Sequence, residues 1–238
     1  MKIIAHRGAS GYKPENTLAA FKKALTMGVD MIELDVHVLK TGELVVIHDD
    51  TVDRTTDGTG HVVEFSFEQL RQLNAGGGQR IPLLSEVLDL VNRQVPVNIE
   101  LKGKHTAKPV ADVIKFYVAI KGWDEDNFMV SSFNMHELRK FIKMMPHIRT
   151  GALYEGQPSR FLAFTKRKGT FSANLESVFI TNKDVYRAHS KGLMVYAYTV
   201  NDVHEAERME EMQVDGIFSD YPDKVAAHLI HDASSGRA

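Results

Sequence analysis

Apolar and polar positions alternate in two different periods along this chain. Short runs such as Ile3-Ile4-Ala5, Phe128-Met129-Val130 and Val214 to Ser219 have the length and composition of buried strands. Between them, apolar residues recur at helical spacing, as Leu18, Phe21, Ala24 and Leu25 do before Gly28, and as Leu84, Val87, Leu88 and Val91 do further on. The pattern predicts strands at 3–5, 31–38, 95–102, 128–132, 148–154, 172–175, 193–198 and 214–219. It predicts helices at 107–120, 135–145, 159–168, 183–190, 202–212 and 222–230, besides the two just named. The strand at 172–175 carries the weakest signal.

Strands that alternate with helices predict parallel β-α units. Eight such units in a chain of 238 residues predict an α/β fold of the (β/α)8, or TIM barrel, class. An open doubly wound sheet is the competitor. The chain lacks the glycine-rich first turn that such a sheet uses to hold a phosphate.

The alternation breaks once, from Asp49 to Arg80. This stretch is polar and rich in turn residues, with a glycine run at Gly76-Gly77-Gly78 and a short helix predicted from Phe67 to Leu73. It exceeds an ordinary connection, which seldom passes about 12–15 residues. Residues 1–238 therefore read as one barrel domain, with 49–80 as a small inserted lobe after the second strand, too short to hold a core of its own.

Composition narrows the function. The chain is 43% hydrophobic and 25% charged, with a formal net charge of −2, which does not suit a nucleic-acid partner. It has no cysteine, so disulfides, thiolate metal sites and a cysteine nucleophile are excluded. No apolar run approaches the roughly 18 residues a membrane span needs, and the start is too short and polar for a signal peptide. The expectation is a cytoplasmic protein without stable membrane insertion.

Charged residues fall where a barrel keeps its chemistry. His6 and Arg7 end the first strand, Glu33 and Asp35 sit in the second, Glu100 and Lys102 end the third, and Tyr198 ends the seventh. Active sites occupy this C-terminal face. Side chains on a strand alternate faces, so Glu33 and Asp35 point the same way. Buried acids are costly unless a cation pairs with them. Glu33, Asp35 and Glu100 are thus the candidate ligands of one divalent cation, and all-oxygen ligation favours Mg²⁺ or Ca²⁺ over zinc. His6 and His48 are suited to move protons, and Arg7 and Lys102 to hold an anion. Together they imply metal-assisted phosphoryl chemistry, or enolisation of a sugar phosphate. His37 shares the parity of Glu33 and Asp35, but the turn at Thr41-Gly42 argues against its reaching the site.

The ordered set of motifs resembles the glycerophosphodiester phosphodiesterase family. The matching stretches are His6-Arg7-Gly8, Pro14 to Thr17, Glu33 to Val36, His48-Asp49, Asp53 to Thr56, Ile99 to Lys102, Ser131 to Phe133, Tyr198 to Asn201 and Asp215 to Pro222. They run through nearly the whole chain. The resemblance implies a TIM barrel with a small insertion, a divalent metal on Glu33, Asp35 and Glu100, and His6 and His48 as general acid and base. It implies Arg7 and Lys102 on the phosphate, and Glu15 near the metal and the His6-Arg7 pair. It implies a small glycerophosphodiester as substrate. The family often has Trp where this chain has Tyr198, which keeps an aromatic wall but alters the alcohol pocket. The rival readings are a phospholipase D-like or lysophospholipid-cleaving barrel, with Phe161, Phe164 and Phe171 lining an acyl path, and a barrel that binds a phosphodiester without cleaving it.

Overall fold

A computed structural model describes residues 1–156 and 169–227. The helix expected at 159–168, and with it Phe161 and Phe164, lies outside the described residues, as does the end of the helix expected at 222–230, which is helical over 222–227. The strands are β1 (Lys2–Ala5), β2 (Met31–Val38), β3 (Leu44–Val46), β4 (Val97–Leu101), β5 (Phe128–Ser132), β6 (Arg149–Tyr154), β7 (Ser172–Glu176), β8 (Met194–Tyr198) and β9 (Gly216–Ser219). The helices are α1 (Leu18–Leu25), α2 (Phe67–Leu70), α3 (Leu84–Val91), α4 (Ala107–Ile120), α5 (Met135–Met144), α6 (Asn182–His189) and α7 (Val203–Glu211).

The sheet runs β1-β9-β8-β7-β6-β5-β4-β2-β3, and β1 also pairs with β2, which closes it into a ring of eight parallel strands. The expected barrel is present. Its weakest strand in sequence, β7, pairs on both sides, with β6 and with β8. Among the described residues, β3 alone of the strands stands outside the ring. It folds back on β2 as an antiparallel hairpin, with Val36 opposite Val46 and Val38 opposite Leu44.

Local chemistry starts the helices. Thr17, Asn134 and Asp202 each accept a hydrogen bond from a first-turn amide, and Thr181 and Asp184 bond each other's backbone amide. Such caps satisfy amides that have no partner inside the helix. The largest core lies between the strands and the helices and includes Phe21, Leu34, Ile99, Phe128, Phe141 and Val195. Trp123 belongs to it, stacked on Phe128 at 4.9 Å. Ile4, Met31, Met129, Tyr196 and Phe218 fill the barrel's interior as an apolar plug, with Phe171 packed on it. The site above that plug therefore has a closed floor.

The excursion shares its core with a neighbour. Val52, Val62, Leu70, Ala75 and Ile81 form a small satellite core with Leu39, Val45 and Ile47 of the hairpin. The inserted residues alone are too few, and the β2–β3 hairpin supplies the rest.

Candidate active site

Register decides which side chains share a level. Glu33 is paired with Asn98 and Asp35 with Glu100 across β2 and β4. Three carboxylates thus meet on adjacent strands, and one oxygen of each lies within 4.8 Å of the others. All three are buried. Burial, then the charges of Asp35 and Glu100, push the Glu33 carboxyl well above its ordinary range. Burial, then Asp35, raises Glu100 to about 7.

The chain supplies only part of the charge these acids require. Glu33 Oε2 accepts the Arg7 backbone N–H at 2.8 Å. Asp35 Oδ2 accepts the Asn16 amide at 2.8 Å and lies 3.5 Å from Arg7 Nε. Lys102 Nζ lies 2.9 Å from Glu100 Oε1, though outside hydrogen-bond geometry. Asp35 Oδ1 is buried with no hydrogen-bond partner. An orphaned carboxylate oxygen inside a three-acid cluster fits a hard divalent cation.

The turn after β1 places Arg7. Arg7 has φ +55° and Gly8 φ +79°, both in the left-handed region. A Cβ on Gly8 would lie 2.7 Å from the Ala20 carbonyl carbon, so glycine is required where this turn meets α1. The turn lets the Arg7 backbone reach Glu33 while its guanidinium donates to Glu15 Oε1 at 2.9 Å. Asn16 also has positive φ, +57°, which asparagine tolerates, and its side chain accepts the Asp35 backbone N–H at 3.3 Å.

Each histidine has a carboxylate on Nδ1. His6 Nδ1 lies 2.7 Å from Asp220 Oδ1, and Asp220 also takes hydrogen bonds from Ser10 Oγ at 2.7 Å and Asn201 Nδ2 at 2.6 Å. Burial alone would raise the Asp220 carboxyl, but the bonds from His6, Ser10 and Asn201 drive it far below its usual range. His48 Nδ1 lies 2.5 Å from Asp49 Oδ1. Hydrogen bonds from Arg54, outweighing burial, hold Asp49 far below the usual range too. A carboxylate on Nδ1 takes the N–H and leaves the Nε2 lone pair free to work. His48 Nε2 faces Lys102 Nζ at 3.1 Å. Burial lowers the His48 imidazole, with Arg7 and Lys102 adding to the effect, so it stays neutral below its ordinary pKa.

His6, Arg7, Glu33, His48, Glu100, Lys102 and Tyr198 all line one cavity of about 410 Å³. Asp35 lies just behind that wall. The Tyr198 hydroxyl donates to the Tyr154 carbonyl at 2.6 Å, so the polar tip is committed to the barrel wall. Its ring meets Phe133 and Phe218 edge-on at 5.9 and 6.5 Å. Glu15 joins Arg7 to Arg54 and lies outside the three-carboxylate cluster. His37 does not line the catalytic cavity, despite its strand parity. Its Nε2 meets the His48 carbonyl oxygen at 3.2 Å. Sequence reasoning missed the pairing roles of Asp49 and Asp220. Adjacency in His48-Asp49 was a usable signal. No local signal joins His6 to Asp220, which is 214 positions away.

Known proteins similar to this chain fall in one family. The glycerophosphoryl diester phosphodiesterase family model matches residues 6–224. A glycerophosphodiester phosphodiesterase of Caldanaerobacter subterraneus is 40% identical over 93% of this chain and 94% of its own. One from Bacillus altitudinis is 38% identical over 94% and 96%. Among solved structures, an Oleispira antarctica phosphodiesterase in complex with the product sn-glycerol-3-phosphate superposes with a TM-score of 0.88, at 30% identity over 97% of both chains. Among the described residues, no helix is long and apolar enough to cross a membrane.

Proposed function

This chain belongs to the glycerophosphoryl diester phosphodiesterase family and hydrolyses glycerophosphodiesters, and on that premise we propose that His6 and His48 carry the proton transfers of the reaction. The substrate is a small diester whose products are glycerol 3-phosphate and an alcohol. Arg7 and Lys102 hold the phosphodiester anion and neutralise charge on its non-bridging oxygens. One histidine takes the proton from the attacking oxygen. The other gives a proton to the alkoxide as its bond to phosphorus breaks. Asp220 and Asp49 hold the two imidazoles in the productive tautomer. Tyr198 is an aromatic wall for the departing alcohol.

Glu33, Asp35 and Glu100 are the residues that would hold one divalent cation, Mg²⁺ or Ca²⁺. When bound, it would supply Lewis-acid neutralisation of the phosphoryl oxygens. The observation that carries this reading is the single cavity in which two histidines, each backed by a carboxylate, flank a buried acidic cluster and two cations. Residues 1–238 act as one catalytic unit, with the 49–80 lobe as part of its site.

The test is release of glycerol 3-phosphate from glycerophosphocholine. Turnover should vanish after exhaustive chelation and return with Mg²⁺ or Ca²⁺. The Glu100→Ala variant should need far more cation for the same rate. Full activity in chelated enzyme would overturn the metal assignment.

A further inference from the structure

His48 is the site residue that no barrel strand carries. It follows β3, the edge strand of the sheet, which pairs with β2 and bridges to Leu83 through Val45. The ladder between them ends at the Val36–Val46 pair, and one more bond, from Ile47 N–H to the Asp35 carbonyl at 3.1 Å, follows it. At His48 the backbone has left the sheet, and there a side chain takes over. His37 Nε2 lies 3.2 Å from the His48 carbonyl oxygen. A carbonyl oxygen can only accept, so His37 must carry its proton on Nε2 and donate it.

The position of this ring is prepared on all sides. His37 is 2% exposed. A Cβ at Gly103 would lie 3.1 Å from His37 Nδ1, so glycine there leaves the ring its room. Asp50 Oδ1 lies 3.8 Å from the same nitrogen. The ring borders a second cavity, of about 500 Å³, shared with Lys40, Asp50 and His105, and not the catalytic one. It therefore has no route to the substrate.

We propose that His37 is a positioning residue: its Nε2–H pins the His48 carbonyl and thereby sets where the His48 ring enters the catalytic cavity. This rests on the proton-transfer role given to His48. Backbone bonds hold the segment on either side, from Val46 N–H to the Pro82 carbonyl and from Val62 N–H to the Asp50 carbonyl, both at 2.9 Å, but the ladder with β2 stops short of His48, and a shift of about 1 Å at a reacting group can cost about 10²-fold in rate.

A double-mutant cycle tests the proposal. His37→Phe keeps the ring volume and removes the donor, whereas His37→Gln keeps an N–H donor on a flexible arm. His37→Phe should lower kcat on glycerophosphocholine by about tenfold or more, with KM changed less than about twofold. His37→Gln should recover most of that loss. In a His48→Ala background, His37→Phe should cost nothing further, because its effect passes through the missing imidazole. An equal loss in both backgrounds would make His37 a structural residue and overturn the proposal. So would a wild-type kcat for His37→Phe, or a His37→Phe protein that fails to fold. Thermal unfolding of each variant tells a folding defect from a kinetic one. A His48→Ala enzyme with wild-type turnover would instead remove the role of His48 itself, a failure read from a different variant.

Discussion

The two histidines of the site are held by different kinds of structure. His6 continues β1, which is paired on one side with β2 and on the other with β9. Its backbone N–H donates to Ser219 at 3.0 Å, and its carboxylate partner, Asp220, is the next residue of the neighbouring strand's exit. Closure of the barrel thus brings both members of the pair together. His48 hangs instead from a hairpin added to the ring's outside, with its partner Asp49 beside it in sequence. That pair is tied back by side chains. Arg54 grips Asp49 and Glu15, with nitrogen–oxygen distances of 2.7 to 3.0 Å, and Glu15 returns to Arg7 at 2.9 Å. One half of the site inherits its geometry from the fold, and the other from a chain of ion pairs that reaches the surface at Arg54, which is 48% exposed.

The difference can be broken or sharpened by experiment. The largest effect should be common to both halves: His6→Ala and His48→Ala should each lower kcat by about 10²–10⁴-fold while the fold persists. Near-wild-type turnover in either would remove that half from the mechanism. The next effect tests the carboxylates. Asp220→Asn and Asp49→Asn should each cost about 10–100-fold, by analogy with partners that orient a metal-bound imidazole. The ion-pair chain should matter less. Arg54→Leu should lower kcat at most about fivefold, because exposed pairs are worth about 0.2–1 kcal/mol. Added salt should slow the wild type by a similar factor and the variant hardly at all. A salt effect that survives Arg54→Leu would locate the sensitivity elsewhere.

The smallest effect lies in stability against pH, where the halves pull in opposite directions. Glu100, on the barrel, is raised to about 7, against about 4.3 for an unfolded glutamate. Its contribution in metal-free protein is fully present below the unfolded value and is lost as pH rises through about 7. His48, on the hairpin, is lowered from an unfolded value of about 6.5. Its contribution is present above that value and is lost as pH falls through the folded one. Glu100→Gln should flatten the loss of melting temperature between about pH 4.5 and 7, and a bound divalent cation should reverse it by favouring the ionised acid. A Glu100→Gln protein whose melting temperature falls as steeply between about pH 4.5 and 7 as that of the metal-free wild type would contradict the buried-acid account.

Much of this was legible in the chain. The eight β-α units follow from periodicity, because a strand covered on both faces must be almost wholly apolar and a covering helix only on one. Glu33, Asp35 and Glu100 stood out for the same reason: carboxylates in strands otherwise made for burial require a cation. Strand parity sufficed for those acids but not for His37, which the turn at Thr41-Gly42 already argued away from the site. Parity assigns a face but not what stands in front of it, and there the hairpin and His48 intervene. The satellite core under the lobe was also hidden, since Leu39, Val45 and Ile47 meet Val52 and Leu70 only once β3 folds back on β2.

By itself, then, the sequence determined the barrel, its one interruption and the chemical types at the mouth, because burial periodicity and misplaced charge are local properties. The tertiary structure decided the partnerships. It set Asp220 against His6 by closing β9 onto β1, placed Asp35 level with Glu100 through the β2–β4 register, and hung His48 over the acids by folding β3 back on β2. Each of these depends on strand register and ring closure, which arise from the packing of the whole chain and leave no mark at the residues they join.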